Sequence, residues 1–311
     1  MRGLEFIQAR KTQLKYYRSV PLFLRTQTNR FVLYKKDGET LDDMRIAAGT
    51  HPSRLFIRKK DKLVGIQEVQ KAFHTRLREY ITEGRFDKIR ETVGHIVEET
   101  LAEPRSGSLE GVSETVGILV REFTKETHVI KNLIDVSAID YTTVIHSINV
   151  MALVLAYANT VGCTESQKKI LGISALLHDV GKTKINSDIL KSKRPLTKEE
   201  FKIMQEHTIH GFRILDKCQF VDSEIKTTAL QHHEKCDGSG YPHQRRNIDK
   251  TAQIVGLIDC YEALTNDDRL YRNSMAPLQA LELLRGDVLT GKFNKDIFAN
   301  FAQSLVFLYN P

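Results

Sequence analysis

Imidazole and carboxylate side chains recur along the second half of this chain at intervals that could bring them to one place. His178 and Asp179 are adjacent, within LHDVGK at residues 177–182, where a helix-like apolar run that begins near Gln167 comes to an end. His207, the pair His232 and His233, and Asp259 follow at intervals of a helix or two, and His146 lies upstream. Such a mixture of donors suits hard and borderline divalent metals. An adjacent His and Asp also describes a solvated helix end, so the weight of the metal reading rests on what recurs downstream.

To meet, these residues need several helices facing one cavity, which is how a helical bundle builds a metal site. Residues 86–102 and 109–135 carry apolar side chains at three- and four-residue spacing, separated by AEPRSGSLEG. Residues 140–158 are apolar nearly all round, as expected for a helix buried in a bundle. Further helices are predicted over 165–179, 197–216, 222–234, 249–267, 276–286 and 294–309. Strands do not alternate with helices here, so no parallel-sheet fold is invoked.

Residues 1–83 read differently, as a small α+β unit. SVPLFLRTQTNRFVLYKK at 19–36 places two aromatic-rich apolar runs around a polar break, a hairpin signal. Asp37-Gly38 supplies a turn, LDDMRIAAG a short helix closed by Gly49, and RLFIR at 54–58 a strand. KKDK reads as a turn before LVGI, and Val69, Phe73, Leu77 and Ile81 place a helix over 67–81. His51 and His74 are isolated and are read as surface residues. Gly84-Arg85 marks the boundary to an all-α domain over 86–311.

A chain of 311 residues is long enough for two domains or one large one. Its 41% hydrophobic and 27% charged residues are ordinary for a soluble globular protein. The best candidate for a membrane segment, residues 150–158, falls short of the roughly 18–20 residues a span needs, so no transmembrane segment is expected. The first residues, MRGLEFIQARKTQLK, hold no uninterrupted apolar core of a secretory signal. Cys163, Cys218, Cys236 and Cys260 form no C-x-x-C pair, which fits reduced thiols in a cytoplasmic compartment. Residues 1–80 hold 18 Lys and Arg against 8 Asp and Glu, and the remainder 28 against 31. A basic segment of this kind suits an anionic partner (an acidic protein, a membrane surface or, less favoured, nucleic acid) or is a solvated face without one.

QHHEKCDGSGYP at 231–242 resembles the H-H-E-x-x-D-G-x-G-Y-P signature of HD-GYP domains, a subgroup of the HD phosphohydrolases. His178-Asp179 with Gly181-Lys182 matches H-D-x-G-K, and LTKEEFKIMQEHTIHG at 196–211 resembles the segment bearing the next His ligand. DCYEALT at 259–265 is similar to the D-x-Y-D-A-x-T run that bears the final Asp. The resemblance covers about residues 140–285. It implies a mainly α, HD-type helical bundle behind the small basic domain, and two divalent metals, iron favoured and manganese the alternative. One metal would take His146, His178, Asp179 and Asp259, and the other Asp179, His207, His232 and His233, with Asp179 bridging. Side chains at adjacent positions diverge on a helix, but His232 and His233 can reach one ion near a helix end.

The activity implied is hydrolysis of the bacterial signalling molecule cyclic di-GMP to pGpG, with onward cleavage to GMP left open. A water bridging two metals loses a proton near neutral pH and attacks phosphorus in line. Lys182 would neutralise a phosphoryl oxygen, and Arg269 and Arg272, in DDRLYRN, resemble the pair that holds substrate phosphate. Glycines 238 and 240 permit a tight loop, whereas Tyr241 receives no chemical role. Two alternatives remain open. One is a weakly active cyclic di-GMP receptor that reports to a protein partner through the basic domain; the other is an HD-type phosphohydrolase for another nucleotide. The chain departs from the family pattern at Thr142, where some members place a carboxylate for a third metal. It departs also in LKSKRPLT at 190–197, at Gln253, in HQRRNIDK after Pro242, and in a one-residue longer path from Asp259 to Arg269. These departures bear on substrate affinity and rate and leave the ligand set intact.

Overall fold

The computed structural model describes residues 5–41, 48–52, 54–102, 108–123, 143–192, 194–218, 221–266 and 275–309. The chain divides into two compact units, residues 1–76 with 106–108 and residues 77–105 with 109–311. As expected, it is mainly α with a small antiparallel sheet near its N-terminus.

The first unit holds strands β1 (Phe6–Gln8), β2 (Leu22–Arg25), β3 (Phe31–Lys35) and β4 (Phe56–Arg58), ordered β1-β4-β2-β3. β2 and β3 form the predicted hairpin, with Leu24 opposite Val32. β1 has no counterpart in the sequence reading. Leu14, Tyr17, Val20, Leu22, Leu55 and Ile57 make the core of this unit. The buried ammonium of Lys35 donates to the carbonyls of Tyr17, Arg18 and Glu39 at 3.0, 3.0 and 2.8 Å. Those bonds offset the cost of taking its charge out of water.

Helix α1 (Lys62–Thr82) begins five residues before the predicted start. Leu63 and Val64 are 52% and 43% exposed, so they lie off the apolar stripe that marks the helix in the sequence. His74 is buried, contrary to expectation, because the inward face of α1 is wide enough to include it beside Phe73 and Leu77. The short helix expected at 41–49 falls mainly on residues outside those described.

The second unit contains α2 (Phe86–Ala102), α3 (Ser108–Phe123), α4 (Thr143–Thr160), α5 (Glu165–Leu177), the short α6 (Ser187–Leu190), α7 (Lys198–Gln205) and α8 (His207–Asp216). α9 (Ser223–Gln231), α10 (Lys250–Thr265), α11 (Pro277–Leu289) and α12 (Lys295–Tyr309) complete it. Residues 124–135 of the helix predicted over 109–135 lie outside those described. The helix predicted over 197–216 is two helices. Glu206 N donates to Ile203 O at 3.1 Å, closing α7 one residue before His207 opens α8.

α4 is the centre of the unit, and every residue from His146 to Ala158 is buried. It packs against α2, α5, α10 and α12. Each large aliphatic side chain so buried contributes about 1.5–3 kcal/mol. Among the described residues α4 is also long and apolar enough to cross a membrane, contrary to the expectation from residues 150–158 alone. With 78% of that stretch buried inside the protein, it has the surroundings of a core helix. The neighbouring ends are well capped. Thr164 and Gln167 form a reciprocal capping box at the start of α5, and the Asp249 carboxylate accepts from Thr251 N and Ala252 N at the start of α10.

Candidate metal centre

α5 stops at Leu177, and the chain passes through His178 (φ −53°, ψ −36°) and Asp179 (φ −98°, ψ 9°) into a 3-10 turn, Val180–Lys184. That turn lies against the start of α8. A Cβ on Gly181 would sit 1.8 Å from the carbonyl oxygen of His207, so only glycine allows this approach. His232 follows the last residue of α9, with His233 next in the chain. The first turn of α4 supplies His146, and α10 supplies Asp259.

The structure brings these side chains together in two overlapping groups. Ligand-type atoms of Asp179, His207, His232 and His233 lie within 4.8 Å of one another, as do those of His146, His178 and Asp179. Asp179 belongs to both. Its Oδ1 is 3.3 Å from His207 Nε2 and 3.9 Å from His232 Nε2, whereas its Oδ2 is 3.3 Å from His178 Nε2 and 3.7 Å from His146 Nε2. Asp259 lies beside the group of His146, His178 and Asp179, with Oδ1 2.9 Å from His146 Nε2 and 3.9 Å from His178 Nε2. Its Oδ2 is 3.9 Å from His233 Nδ1.

Hydrogen bonds behind the cluster decide which way the imidazoles present their lone pairs. Nδ1 of His178 lies 2.7 Å from Ala175 O, that of His207 2.6 Å from Met204 O, and that of His232 3.1 Å from Thr228 O. A carbonyl oxygen only accepts, so each Nδ1 carries a proton and each Nε2 is the atom turned inward. Nε2 atoms of His207 and His232 are only 3.3 Å apart. Among the described residues, His178 Nε2 and Asp179 Oδ1 are buried without a hydrogen-bond partner. Buried polar atoms without partners are costly, and a cation between them supplies the missing interaction. The residues present therefore fit divalent metal.

The electrostatics agree with that fit. Burial pushes His207 down to about 4 and His232 to about 3, and it holds His233 well below the ordinary histidine value. Burial opposes ionisation of Asp179, but Lys182 first and then His178 outweigh it and keep the carboxyl well below its usual range. For Asp259 the same opposition is overcome by its bond to His146. His146 goes the other way: burial works against its cation, but Glu262 and Asp259 raise it to about 10.

Lys182 Nζ donates to Asp179 Oδ2, and its side chain remains 24% exposed. Arg269 and Arg272 lie outside the described residues. His210 is paired loosely with Glu206 at 3.6 Å, and His243 is exposed. Tyr241 packs on His233, with ring centroids 4.6 Å apart and 30° between planes. Glu234 accepts from His243 N at 2.7 Å and Arg245 N at 3.0 Å, which ties down the loop after the paired histidines. Sequence reasoning passed over Glu262 and Asn149, which bond behind His146. Their signal was a spacing of one helical turn from Asp259 and from His146.

The profile described as HD domain matches residues 123–297, more than half of the chain. A cyclic di-GMP phosphodiesterase of Pseudomonas aeruginosa is 28% identical over 195 residues, 62% of this chain and 46% of that protein. A 3'3'-cGAMP-specific phosphodiesterase of Vibrio cholerae is 32% identical over 155 residues, 49% of this chain and 36% of that protein. A cyclic di-GMP phosphodiesterase of Thermotoga maritima is 39% identical over 119 residues, 37% of this chain and 32% of that protein. The chain thus spans less than half the length of these relatives. Among solved structures, a HDG"Y"P protein from Bdellovibrio bacteriovorus matches with a TM-score of 0.65 at 19% identity, over 97% of this chain and 99% of that one. At that identity the likeness is one of fold.

Proposed function

The chain belongs to the HD domain family, and on that premise we propose that it is a metal-dependent phosphodiesterase that hydrolyses cyclic di-GMP to linear pGpG. The observation that carries this proposal is the pair of donor groups meeting at Asp179. His146, His178, Asp179 and Asp259 would hold one divalent ion, and Asp179, His207, His232 and His233 the other. Iron is the favoured metal and manganese the alternative; a mixed imidazole and carboxylate set suits both. When bound, such a pair supplies Lewis acidity that lowers the pKa of water and stabilises charge at phosphorus.

The chain's own residues provide the rest. Carbonyls of Ala175, Met204 and Thr228 hold three imidazoles in one tautomer. Burial of His178, Asp179, His207 and His232 keeps bulk water away from the donors and strengthens every charge interaction among them. Lys182, at the partly exposed side of Asp179, is proposed to neutralise a non-bridging phosphoryl oxygen. Arg269 and Arg272 are proposed to hold substrate phosphate through planar, bidentate contacts. Residues 1–83 are proposed as an accessory domain whose basic surface meets an anionic protein partner, beside a phosphohydrolase domain over 86–311. The four free cysteines suit a cytoplasmic setting.

Two Vibrio cholerae relatives are named for 3'3'-cGAMP, which makes the hybrid dinucleotide the competing substrate. Steady-state turnover of cyclic di-GMP, 3'3'-cGAMP and cyclic di-AMP by metal-loaded protein distinguishes them. The expected result is the highest kcat/KM for cyclic di-GMP, with pGpG as first product. Preference for the hybrid would overturn the substrate assignment, and tight binding without cleavage would make the protein a receptor.

A further inference from the structure

Behind the donor cluster, among the described residues, lies a second polar network drawn from α4, α2, α10 and the residue that caps α10, Asn266. His146 Nδ1 is 2.6 Å from Glu262 Oε2. The other carboxylate oxygen, Oε1, accepts from Asn149 Nδ2 at 2.8 Å and from Asn266 Nδ2 at 2.7 Å. Arg90 NH2 in turn donates to Asn149 Oδ1 at 3.4 Å, which fixes the amide of Asn149 with its nitrogen towards Glu262. Asp259 and Glu262 stand three residues apart on α10, so both project from one face. The His146 imidazole is held between them, with Nε2 towards Asp259 and Nδ1 towards Glu262. Glu262 is 3% exposed and belongs to neither donor group. It also stands where the family run D-x-Y-D-A-x-T has Asp, and its additional methylene extends the reach of its carboxylate.

We propose that Glu262 is the positioning residue for His146, holding the proton on Nδ1 so that Nε2 faces the donor cluster. The other three histidines with a resolved Nδ1 partner at a carbonyl use backbone for this task; His146 uses a side chain, so it alone among them can be reset by one substitution. A carboxylate only accepts hydrogen bonds, which makes Nδ1 the donor. Glu262→Gln reverses this by geometry. Asn149 and Asn266 both donate to the Oε1 position, so the amide oxygen of the glutamine is drawn there and its NH2 is left facing His146 Nδ1. The imidazole must then accept at Nδ1, which loses its proton, while Nε2 keeps its own towards Asp259 Oδ1, 2.9 Å away.

This inference rests on the proposed metal centre, and its test separates the two. Full-length, metal-free protein labelled with 15N-histidine gives the Nδ1 and Nε2 shifts of His146, assigned by their loss in His146→Gln. Nδ1 is expected to be protonated in the wild type and in Glu262→Asp, and unprotonated in Glu262→Gln. Titration of the same samples with Mn2+ is expected to show binding about 10–100-fold weaker for Glu262→Gln, with partial recovery in Glu262→Asp. An unprotonated Nδ1 in the wild type overturns the inference without recourse to any variant. Wild-type Mn2+ affinity together with a retained Nδ1 proton in Glu262→Gln overturns it too. Failure of the wild type to take up Mn2+ refutes the metal centre instead, and the Nδ1 shift still decides the role of Glu262.

Discussion

At the scale of single residues, the cluster holds imidazoles displaced in opposite directions. His207 and His232 are held down at about 4 and about 3, whereas His146 is raised to about 10. In metal-free protein these shifts make stability depend on pH from two sides. As pH falls below the ordinary histidine value of about 6.5, unfolding lets His207 and His232 take up protons that the folded state refuses, so stability falls towards pH 4. The contribution of His146 is complete below about 6.5 and is lost as pH rises through about 10, because there the folded state binds the extra proton. Thermal unfolding of metal-free protein between pH 4 and 10 should therefore give a maximum Tm near neutrality. A Tm that stays level from pH 6.5 down to 4 would contradict the assigned environments of His207 and His232. The donor residues themselves were legible in the sequence as residue types at helix-scale intervals. Glu262 was not, because its meaning depends on His146 and Asn149 meeting it from another helix, α4.

At the scale of elements, close approach of backbones sets the positions of the donors. α10 passes so near the end of α9 that a Cβ on Gly256 would lie 2.1 Å from His232 O, a backbone atom that cannot swing aside. Gly256→Ala is accordingly expected to cost about 1–3 kcal/mol through overpacking and to displace His232 and His233 from Asp179. Chemical denaturation and metal titration would read the two effects separately; unchanged values of both would refute the packing account. Glycine 256 lies in an apolar helical run, and nothing in its local sequence signals a neighbour from another helix. Boundaries show the same limit. The period of 86–102 predicts a helix that spans Phe86–Ala102, because it buries one stripe. The apolar rhythm of 197–216, in contrast, continues across Glu206, where the chain changes helix, and the exposed Leu63 and Val64 hide the start of α1.

At the scale of the whole molecule, positive charge is concentrated in residues 1–80, while the helical remainder is slightly acidic. The two compact units thus differ in charge as well as in architecture. All the donor residues belong to the second unit, and the core helix α4 joins its site to its interior through His146. The central claim is that this unit holds two divalent ions through a shared Asp179 and uses them to cleave a cyclic dinucleotide. Its most direct test is metal content and cyclic di-GMP turnover, measured on the same anaerobically loaded and desalted sample, for wild type and Asp179→Ala. The account predicts two ions per chain and pGpG formation in the wild type, with both lost in Asp179→Ala. Turnover by protein that retains no metal, or two ions retained without Asp179, would contradict it.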